Sequence, residues 1–356
     1  MPVRTSLLLL LVALLGWSCS EEAQRSLRPT PLAVGKINQL VIIADQDTWD
    51  GPVGDTIAYY FSGPFPILPQ PEPLLDLNHF TPQQLDADVL RRELRTYLFV
   101  ADLSEEDSPA TRLIKRDLGE ERVRKAVEEG NFAPIAGHDK WATGQLLVYQ
   151  FANSQEQLIG LIKKNFPAIL KEIHKEDAKK IDATVYLDGE SRKLNTEVSE
   201  KMGIQLRVPN EYFLALSDDN VIWLRKETAK ISSNILIHKV KYTRQEQLSG
   251  EGLKAIRDSL GRDYVSSTEP KSYMQINDED LPLLIDETSI DGHYALEGRG
   301  IWEVVNDFMG GPFVSYLIHD SDKDELIFLD GFIWAPGEDK RDDMQYLNYI
   351  LTTARF

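Results

Sequence analysis

The sequence predicts an α+β fold, in which an alternating α/β N-terminal half packs with a mainly antiparallel α+β C-terminal half. In the first half, apolar runs of strand length at 40–44, 97–103 and 145–152 alternate with segments of helical character. In the second half, short apolar runs follow one another around acidic turns, as in antiparallel hairpins. A chain of 356 residues is long enough for about two compact units, which we place at 37–190 and 200–356.

The helices of the first half are predicted from their start and stop signals. A short helix is expected at 54–61, after a polar turn. Ser108 before Pro109 is a favourable helix start, because the hydroxyl can cap backbone donors and proline lacks a donor that would stay unpaired. The helical region that follows is predicted to end near Gly130, with a break at Gly119.

The helices from residue 155 onward are predicted mainly from apolar periodicity. Residues 155–173 carry apolar side chains at helical spacing and predict an amphipathic helix. The polar stretch 189–199 predicts a linker or a long loop. Residues 251–260 predict another helix with Gly261 as its C-terminal cap, and an amphipathic helix from about residue 339 closes the chain.

Two pairs of apolar runs predict β-hairpins in the second half. Runs 212–216 and 221–225 flank an Asp-Asp-Asn turn, and runs 313–318 and 325–334 flank an acidic turn. Aspartates alternate in the second turn as they do in a calcium-binding loop. The glycine and the glutamate that such a loop needs at later positions are absent, so a solvated turn explains the pattern.

Charge and cysteine content limit the partners of the protein. The formal net charge is −18, from 39 basic and 57 acidic residues, and such a surface repels nucleic-acid phosphates and anionic lipid headgroups. We therefore expect no nucleic-acid partner. The single cysteine, Cys19, excludes an internal disulfide framework and a multi-cysteine zinc site.

The N-terminus has the layout of a secretory signal peptide. Arg4 is followed by an uninterrupted apolar run at 7–15 and then by Cys19. Nine residues of helix span about 14 Å, which is too short for a hydrocarbon core of about 30 Å. The position of Cys19 resembles a bacterial lipobox, which implies removal of residues 1–18 and acylation of the Cys19 thiol. The alternative is a secreted protein with an incidental cysteine.

An acylated Cys19 would hold the mature protein at a membrane. Residues 19–36 have no periodicity and are predicted to form a lipidated tether between the bilayer and the folded part. Two or three acyl chains anchor a protein stably, whereas one chain binds marginally. The expected location is the cell envelope, as an outer-membrane lipoprotein on the periplasmic or the surface face.

The first candidate ligand site follows the strand at 40–44. Its candidate residues are Asp45, Asp47, Trp49 and Asp55, which lie between this strand and the helix at 54–61. Ligands of open α/β sheets gather where the carboxyl ends of strands meet the N-termini of helices. The hypothesis is a metal or polar ligand held by the aspartates, and the alternative is a capped, solvated loop.

The second candidate ligand site lies in a stretch rich in glycine and aromatic residues at 298–313. Arg299 and Trp302 are its candidate binding residues. Glycine permits close approach of the backbone, either to a ligand or to another strand, and the pattern favours a structural turn.

Familiar catalytic signatures are absent from the sequence. It has no His-Glu-x-x-His motif, no Gly-x-Ser-x-Gly elbow, no P-loop and no dinucleotide fingerprint. The sequence therefore assigns no catalytic residue, no metal ligand and no cofactor.

Several strings together resemble a family of uncharacterised Bacteroidota lipoproteins of about this chain length. They are Trp-Asp-Gly at 49–51 with Gly-Asp at 54–55, Leu-Pro-Gln-Pro-Glu-Pro at 68–73, and Asn-Asp-Phe-Met-Gly-Gly-Pro-Phe at 306–313. The resemblance covers nearly the whole mature chain. It implies the compartment and the lineage, and it supplies no catalytic residue.

The sequence favours a non-catalytic binding or scaffolding lipoprotein with an envelope protein or a glycan as partner. The rival hypothesis is an envelope hydrolase that cleaves glycans or peptides with paired carboxylates. A deep cavity with two converging carboxylates, one of them with a raised pKa, would favour the hydrolase. A broad, shallow apolar patch would favour the binding module.

Overall fold

A computed structural model describes residues 30–356 and has the predicted α+β fold. Within these residues it contains ten α-helices and thirteen β-strands. Contacts divide the chain into two compact units. Unit 1 comprises the described residues up to Gly54 together with 78–165, and unit 2 comprises 55–77 and 166–356. Residues 55–77 thus cluster with the C-terminal part of the chain.

Unit 1 is built on a five-stranded mixed sheet in the order β2-β1-β3-β5-β4. The strands β1, β3 and β5 are parallel, with Ile42 opposite Leu98 and Leu98 opposite Val148, whereas β4 is antiparallel to β5. The elements up to residue 185 are β1 (Gln39–Ile43), α1 (Gln46–Trp49), α2 (Pro52–Phe61), β2 (Asp76–Phe80), α3 (Pro82–Ala87), α4 (Val89–Arg92), β3 (Thr96–Asp102), α5 (Pro109–Leu118), α6 (Glu120–Glu129), β4 (Ile135–His138), β5 (Leu146–Ala152) and α7 (Gln155–Val185).

The helix signals of unit 1 act as predicted. The Ser108 hydroxyl accepts the backbone N–H of Thr111 at 3.0 Å, and Pro109 is the first residue of α5. Gly119 separates α5 from α6 with φ +85°, and Gly130 ends α6 in the left-handed conformation. Strand β3 is buried from Thr96 to Ala101, because helices cover parallel sheets and their strands are apolar on both faces.

Unit 2 is built on an eight-stranded antiparallel sheet. Its order is β10-β11-β12-β13-β8-β7-β6, and β9 pairs with the last part of β11. The elements are α8 (Arg192–Met202), β6 (Phe213–Ser217), β7 (Val221–Glu227), β8 (Ser232–Lys241), a 3-10 turn (Gln245–Gln247), α9 (Gly250–Tyr264), β9 (Tyr273–Asn277), β10 (Leu284–Ile290), β11 (His293–Val305), β12 (Gly310–Asp320), β13 (Glu325–Trp334) and α10 (Arg341–Thr352). Both predicted hairpins are present, as β6–β7 and β12–β13.

Helices cover both faces of the central strands of unit 2. Leu253 of α9 belongs to the same buried cluster as Phe313 and Phe328. On the other face, a Cβ added to Gly331 would lie 2.7 Å from Leu347 of α10 and 3.2 Å from Leu351. The absence of a side chain at Gly331 therefore lets α10 approach β13 closely.

The linker predicted at 189–199 is wrong, because helix α8 occupies most of it. Ser191 caps this helix by accepting the backbone N–H of Leu194. Leu194, Val198 and Met202 are buried and recur every four residues, so they form an apolar stripe one residue wide. The residues between them are mostly polar, so the composition of this stretch predicted a linker and not a helix.

Two further helix boundaries differ from the prediction. Helix α7 continues to Val185 and does not end at 173. Gly261 is not a cap but lies inside α9, which ends at Tyr264. A Cβ at Gly261 would lie 2.2 Å from the Met274 carbonyl oxygen, so glycine serves close packing between α9 and β9.

The last residues of the predicted tether are hydrogen-bonded to unit 1. The Ala33 N–H donates to the Thr143 carbonyl at 2.9 Å, and the Val34 N–H donates to the Glu93 carbonyl at 2.8 Å. The chain from Pro31 onward is therefore bound to unit 1. Cys19, the predicted signal peptide and the rest of the predicted tether lie outside the described residues. No helix in 30–356 has the length and apolarity needed to cross a membrane.

Candidate functional site

The first predicted site lies in unit 1, at the carboxyl edge of β1. The two carboxylate oxygens of Asp45 lie 3.2 and 3.3 Å from the backbone nitrogen of Ala110. Ala110 is in the first turn of α5. A carboxylate at this end satisfies an unpaired backbone donor and interacts favourably with the helix dipole. The Asp45 side chain thus serves as a cap for a helix 65 residues away.

The side chain of Trp49 packs against another side chain of unit 1. Its indole stacks on the imidazole of His79, with ring centroids 4.9 Å apart and planes 6° from parallel. The Nε2 of His79 lies 3.0 Å from the Ala44 carbonyl oxygen, and since a carbonyl only accepts, Nε2 carries the proton. A Cβ at Gly54 would lie 1.8 Å from the Trp49 carbonyl oxygen. These contacts explain the Trp-Asp-Gly string without a ligand.

Asp47 lines a small cavity of about 120 Å³ beside the carboxyl ends of the parallel strands. Asp102 and Glu105 also line it, and Asp102 accepts the N–H and the hydroxyl of Ser104 at 2.9 and 2.7 Å. No group of three or more potential metal-binding side chains occurs in the part of the chain that the structure describes. The space suits a few water molecules better than an organic ligand.

The remaining predicted residues, Asp55, Arg299 and Trp302, belong to unit 2 and do not form one site. Asp55 is exposed in the first turn of α2. Arg299 pairs with Glu297 on β11. Trp302 is only 3% exposed, and its ring meets Phe332 edge to face at 5.5 Å. Because side chains alternate along a strand, Arg299 and Trp302 point to opposite faces of the sheet.

The turn predicted over 298–313 is confined to a few residues. Residues up to Val305 belong to β11, and Gly310 begins β12. Glycine is required inside the strands because a Cβ at Gly300 would lie 2.6 Å from the Phe313 ring, and one at Gly311 would lie 2.0 Å from the Ile333 carbonyl oxygen. The glycines therefore admit neighbouring strands and side chains.

A further polar site is one that the sequence did not indicate. Between α8 and α10 of unit 2 lies a cavity of about 570 Å³, which we call the Arg207 cavity. Four parts of the chain contribute to it: Glu190 just before α8, α8 itself, the segment that follows α8, and the end of α10 with the residues after it. The lining residues are Glu190, Asn195, Thr196, Ser199, Gln205, Leu206, Arg207, Tyr349, Thr352, Thr353 and Arg355.

Arg207 is held on three sides. Its Nε donates to Glu190 Oε1 at 2.7 Å, and its second guanidinium nitrogen donates to Asp182 Oδ1 at 2.7 Å. The guanidinium carbon lies 3.9 Å from the centroid of the Tyr186 ring, which is a cation–π contact. A planar guanidinium between two carboxylates and a ring has little rotational freedom, so this wall of the cavity is preorganised.

A second set of contacts orients the partners of Arg207. The Tyr349 hydroxyl donates to Asp182 Oδ1 at 3.0 Å. The Asn195 amide donates to Glu190 Oε2 at 3.2 Å and accepts the backbone N–H of Val208 at 2.9 Å. The network joins α7, α8 and α10 to the segment that carries Arg207.

The groups of this network keep their protonation states at neutral pH. The hydrogen bond from Arg207 holds the pKa of the Asp182 carboxyl below its ordinary value. Burial alone would lower the pKa of Arg207, but its hydrogen bonds to Glu190 and Asp182 raise the pKa above the ordinary value. Burial raises the pKa of Tyr186 to about 12, so this phenol stays protonated. Asp182 is thus an ionised hydrogen-bond acceptor and a poor proton donor.

Two carboxyl groups of unit 2 do have raised pKa values, and neither lines the Arg207 cavity. Burial raises the pKa of Asp330, which is 0% exposed and accepts from Arg257 at 3.0 Å and from Ser315 at 2.6 Å. Burial also raises the pKa of Asp343, to about 6, near the start of α10. The acid and base pair expected of a glycosidase is therefore not assembled in this cavity.

The sequence could not reveal the Arg207 cavity, because no local pattern joins its parts. Glu190 is 17 residues from Arg207, Asp182 is 25 residues away, and Thr353, whose hydroxyl accepts the Arg207 backbone N–H at 3.2 Å, is 146 residues away. The string that contains Arg207 matches no motif with a known mechanism.

The fold and the cavity define a two-unit α+β protein with one preorganised polar site in its C-terminal unit. Two family models of uncharacterised domains match it. Residues 33–186 match Domain of unknown function (DUF8532), and residues 191–353 match Domain of unknown function (DUF4837). No curated protein matches the chain. The chain is therefore covered by two uncharacterised domains, in agreement with the resemblance to an uncharacterised family.

Proposed function

We propose that this protein is a Bacteroidota cell-envelope lipoprotein whose unit 2 binds a small polar ligand in the Arg207 cavity without chemically changing it. The observation that carries the proposal is the fixed guanidinium of Arg207, which Asp182, Glu190 and the Tyr186 ring hold at the wall of an open cavity. Preorganised polar walls lower the cost of ordering the protein when a ligand binds.

The chemistry of the cavity supports binding over hydrolysis. Hydrolysis by paired carboxylates needs one carboxyl group that is protonated near neutral pH. In the Arg207 network the pKa of Asp182 is lowered, and Glu190 accepts from Arg207 and from Asn195. These carboxylates orient the cavity wall and do not act as an acid.

The proposed anchor rests on the residues before the folded part. Cys19 follows the apolar run at 7–15, and hydrogen bonds attach the chain to unit 1 from Pro31 onward. The stretch between Cys19 and Pro31 can span at most about 40 Å when extended. An acylated Cys19 would therefore keep unit 1 within this distance of an outer-membrane leaflet, on the periplasmic or the surface side.

The anchor is tested on the full-length chain expressed in a Bacteroidota host. Mass spectrometry of the purified protein should find Cys19 as an acylated N-terminus, and Cys19→Ala should release the protein from membranes. A native protein that retains Met1, or a bare Cys19 thiol, would contradict the anchor and leave the cavity proposal untouched.

The binding function is tested by calorimetric titration with a panel of neutral oligosaccharides, uronic-acid oligosaccharides and short peptides. We expect at least one probe to bind and to be recovered intact by mass spectrometry. Arg207→Lys should weaken binding about tenfold, because lysine is a point charge that cannot copy the planar guanidinium contacts. Arg124→Lys, an exposed exchange on α6 of unit 1, is the matched control. Cleavage of a bound probe would favour the hydrolase. If no probe of the panel binds, the proposed binding function is wrong.

A further inference from the structure

We infer that the ligand of the Arg207 cavity is an uncharged carbohydrate, an inference that rests on the proposed binding function. Some polar groups of the cavity already have protein partners, and the others are free to bind a ligand. Only the free groups determine which ligand chemistry the site accepts.

The charged groups of the cavity already bind one another. The guanidinium of Arg207 donates to Asp182 and Glu190, each at 2.7 Å. Arg355 lies 3.6 Å from a carboxylate oxygen of Asp291, and one of its terminal nitrogens donates to the Thr352 carbonyl at 3.2 Å and to the Ala354 carbonyl at 2.7 Å. These contacts use Nε and one terminal nitrogen of each guanidinium, so a carboxylate of the protein already offsets the charge of each arginine before a ligand binds.

The balance of charge also disfavours an anion. The two arginines of the lining pair with three carboxylates, Glu190 in the lining and Asp182 and Asp291 outside it, so this set of ion pairs carries one negative charge in excess. An acidic ligand would add its charge next to a set of ion pairs that is already negative, and each arginine of that set already has a carboxylate partner. A cationic ligand would have to break an existing ion pair before it could form its own. An uncharged ligand meets neither cost.

The free hydrogen-bonding groups are hydroxyls and one amide. Thr196 and Ser199 are exposed on α8, and Gln205 is exposed just after it. Among the hydrogen bonds of residues 30–356, none involves the side chain of Thr196, Ser199 or Gln205. Hydroxyl and amide groups both donate and accept, and so do the hydroxyl groups of a sugar. This arrangement suits a ligand with many hydroxyl groups.

The lining residues offer few apolar surfaces, which disfavours a peptide as the ligand. Peptide recognition usually depends on apolar or aromatic pockets for side chains. The aliphatic member of the lining is Leu206, which is 2% exposed and offers almost no surface. Tyr349 supplies the aromatic ring of the lining, and its hydroxyl already donates to Asp182. A half-buried tyrosine ring can receive the C–H face of a sugar. A volume of about 570 Å³ suits a short oligosaccharide.

The inference is tested with the full-length protein and the same panel of probes. We expect neutral oligosaccharides to bind, and uronic-acid oligosaccharides and peptides to bind at least about tenfold more weakly. The double variant Thr196→Val with Ser199→Ala removes two hydroxyl groups from an exposed face and should weaken binding of a neutral glycan about tenfold. Gln205→Ala gives a separate check, since it changes a different element. Ser259→Ala, on α9, is the matched control.

Each outcome separates this inference from the proposed function. Arg207-dependent binding of an acidic oligosaccharide or a peptide, without a neutral binder, would overturn the carbohydrate inference and leave a binding protein. Neutral-glycan binding that is unchanged in the double variant and in Gln205→Ala would place the glycan elsewhere and also overturn it. A panel with no binder at all would overturn the proposed function itself.

Discussion

A carboxylate oxygen of Glu72 accepts the backbone N–H of Arg341 at 2.9 Å, across 269 residues of sequence. The other oxygen accepts the N–H of Lys340 at 2.7 Å, and the Arg341 side chain donates back to the Pro73 carbonyl at 2.7 Å and to Asp76 at 2.9 Å. The proline-rich string at 68–73 therefore caps helix α10, which forms part of the Arg207 cavity. This is a structural role for one of the strings that carried the family resemblance.

Replacement of Glu72 should destabilise the protein. Glu72→Ala leaves backbone donors at the start of α10 without their carboxylate, so we expect the free energy of unfolding to fall by about 1–2 kcal/mol. Glu72→Gln keeps an acceptor oxygen and should lose less. Urea denaturation measures both, with Glu200→Gln on the exposed side of α8 as control. Equal stability of Glu72→Ala and the control would show that the cap contributes nothing.

The carboxyl group of Asp343 should make stability depend on pH. Burial raises the pKa of Asp343 to about 6, against the attraction of Lys226 and together with the repulsion of Asp342 and Glu72. The pKa of Asp343 is higher in the folded state than in the unfolded chain. The protonated carboxyl group therefore contributes fully to the free energy of unfolding below about pH 4, and this contribution is lost as the pH rises through 6.

Removal of this ionisation should therefore stabilise the protein at high pH only. We expect Asp343→Asn to raise the free energy of unfolding by about 1–3 kcal/mol at pH 8 and to have no such benefit at pH 4. Urea denaturation across this range is the measurement, and Asp339→Asn, an exposed exchange just before α10, controls for the lost charge. A gain of the same size at both pH values would contradict the assignment.

The buried ion pair of Arg257 and Asp330 gives a prediction of non-additivity. The two side chains are 1% and 0% exposed, and the guanidinium carbon of Arg257 lies 3.7 Å from the Phe313 ring centroid. Arg257→Met or Asp330→Leu alone leaves a buried charge unpaired and should cost about 3–5 kcal/mol.

The double variant Arg257→Met with Asp330→Leu should cost clearly less than the sum of the single variants, because it removes both charges together. A double-mutant cycle of free energies of unfolding measures this difference. Simple additivity would show that the two side chains contribute independently.

Two glycines of unit 1 should respond in opposite ways to alanine. Gly54→Ala places a Cβ 1.8 Å from the Trp49 carbonyl oxygen and should destabilise the protein by about 3 kcal/mol. Gly160→Ala, inside α7, meets nothing within 4 Å and should stabilise it by about 0.5–1 kcal/mol. Thermal unfolding of the pair tests the contrast. A Gly54→Ala protein as stable as the wild type would contradict the packing argument.

Local patterns predicted much of the fold because they depend on neighbours in the chain. The hydroxyl of Ser108 caps the helix that Pro109 begins, and both hairpins form where apolar runs flank polar turns. Helix α8 was missed because its buried stripe has one apolar residue per turn. Gly261 was misjudged because its role depends on Met274, which no turn rule indicates.

The sequence by itself determined the α+β class, the main hairpins, the strong negative charge and the prediction of an acylated Cys19. Only the tertiary structure decided which polar groups meet. Asp45 caps a distant helix, Trp302 is buried, and Arg207 joins residues from three helices and forms the wall of a cavity. Hydrogen bonds and ion pairs act over a few ångströms, and the path of the folded chain decides which distant residues come within that range.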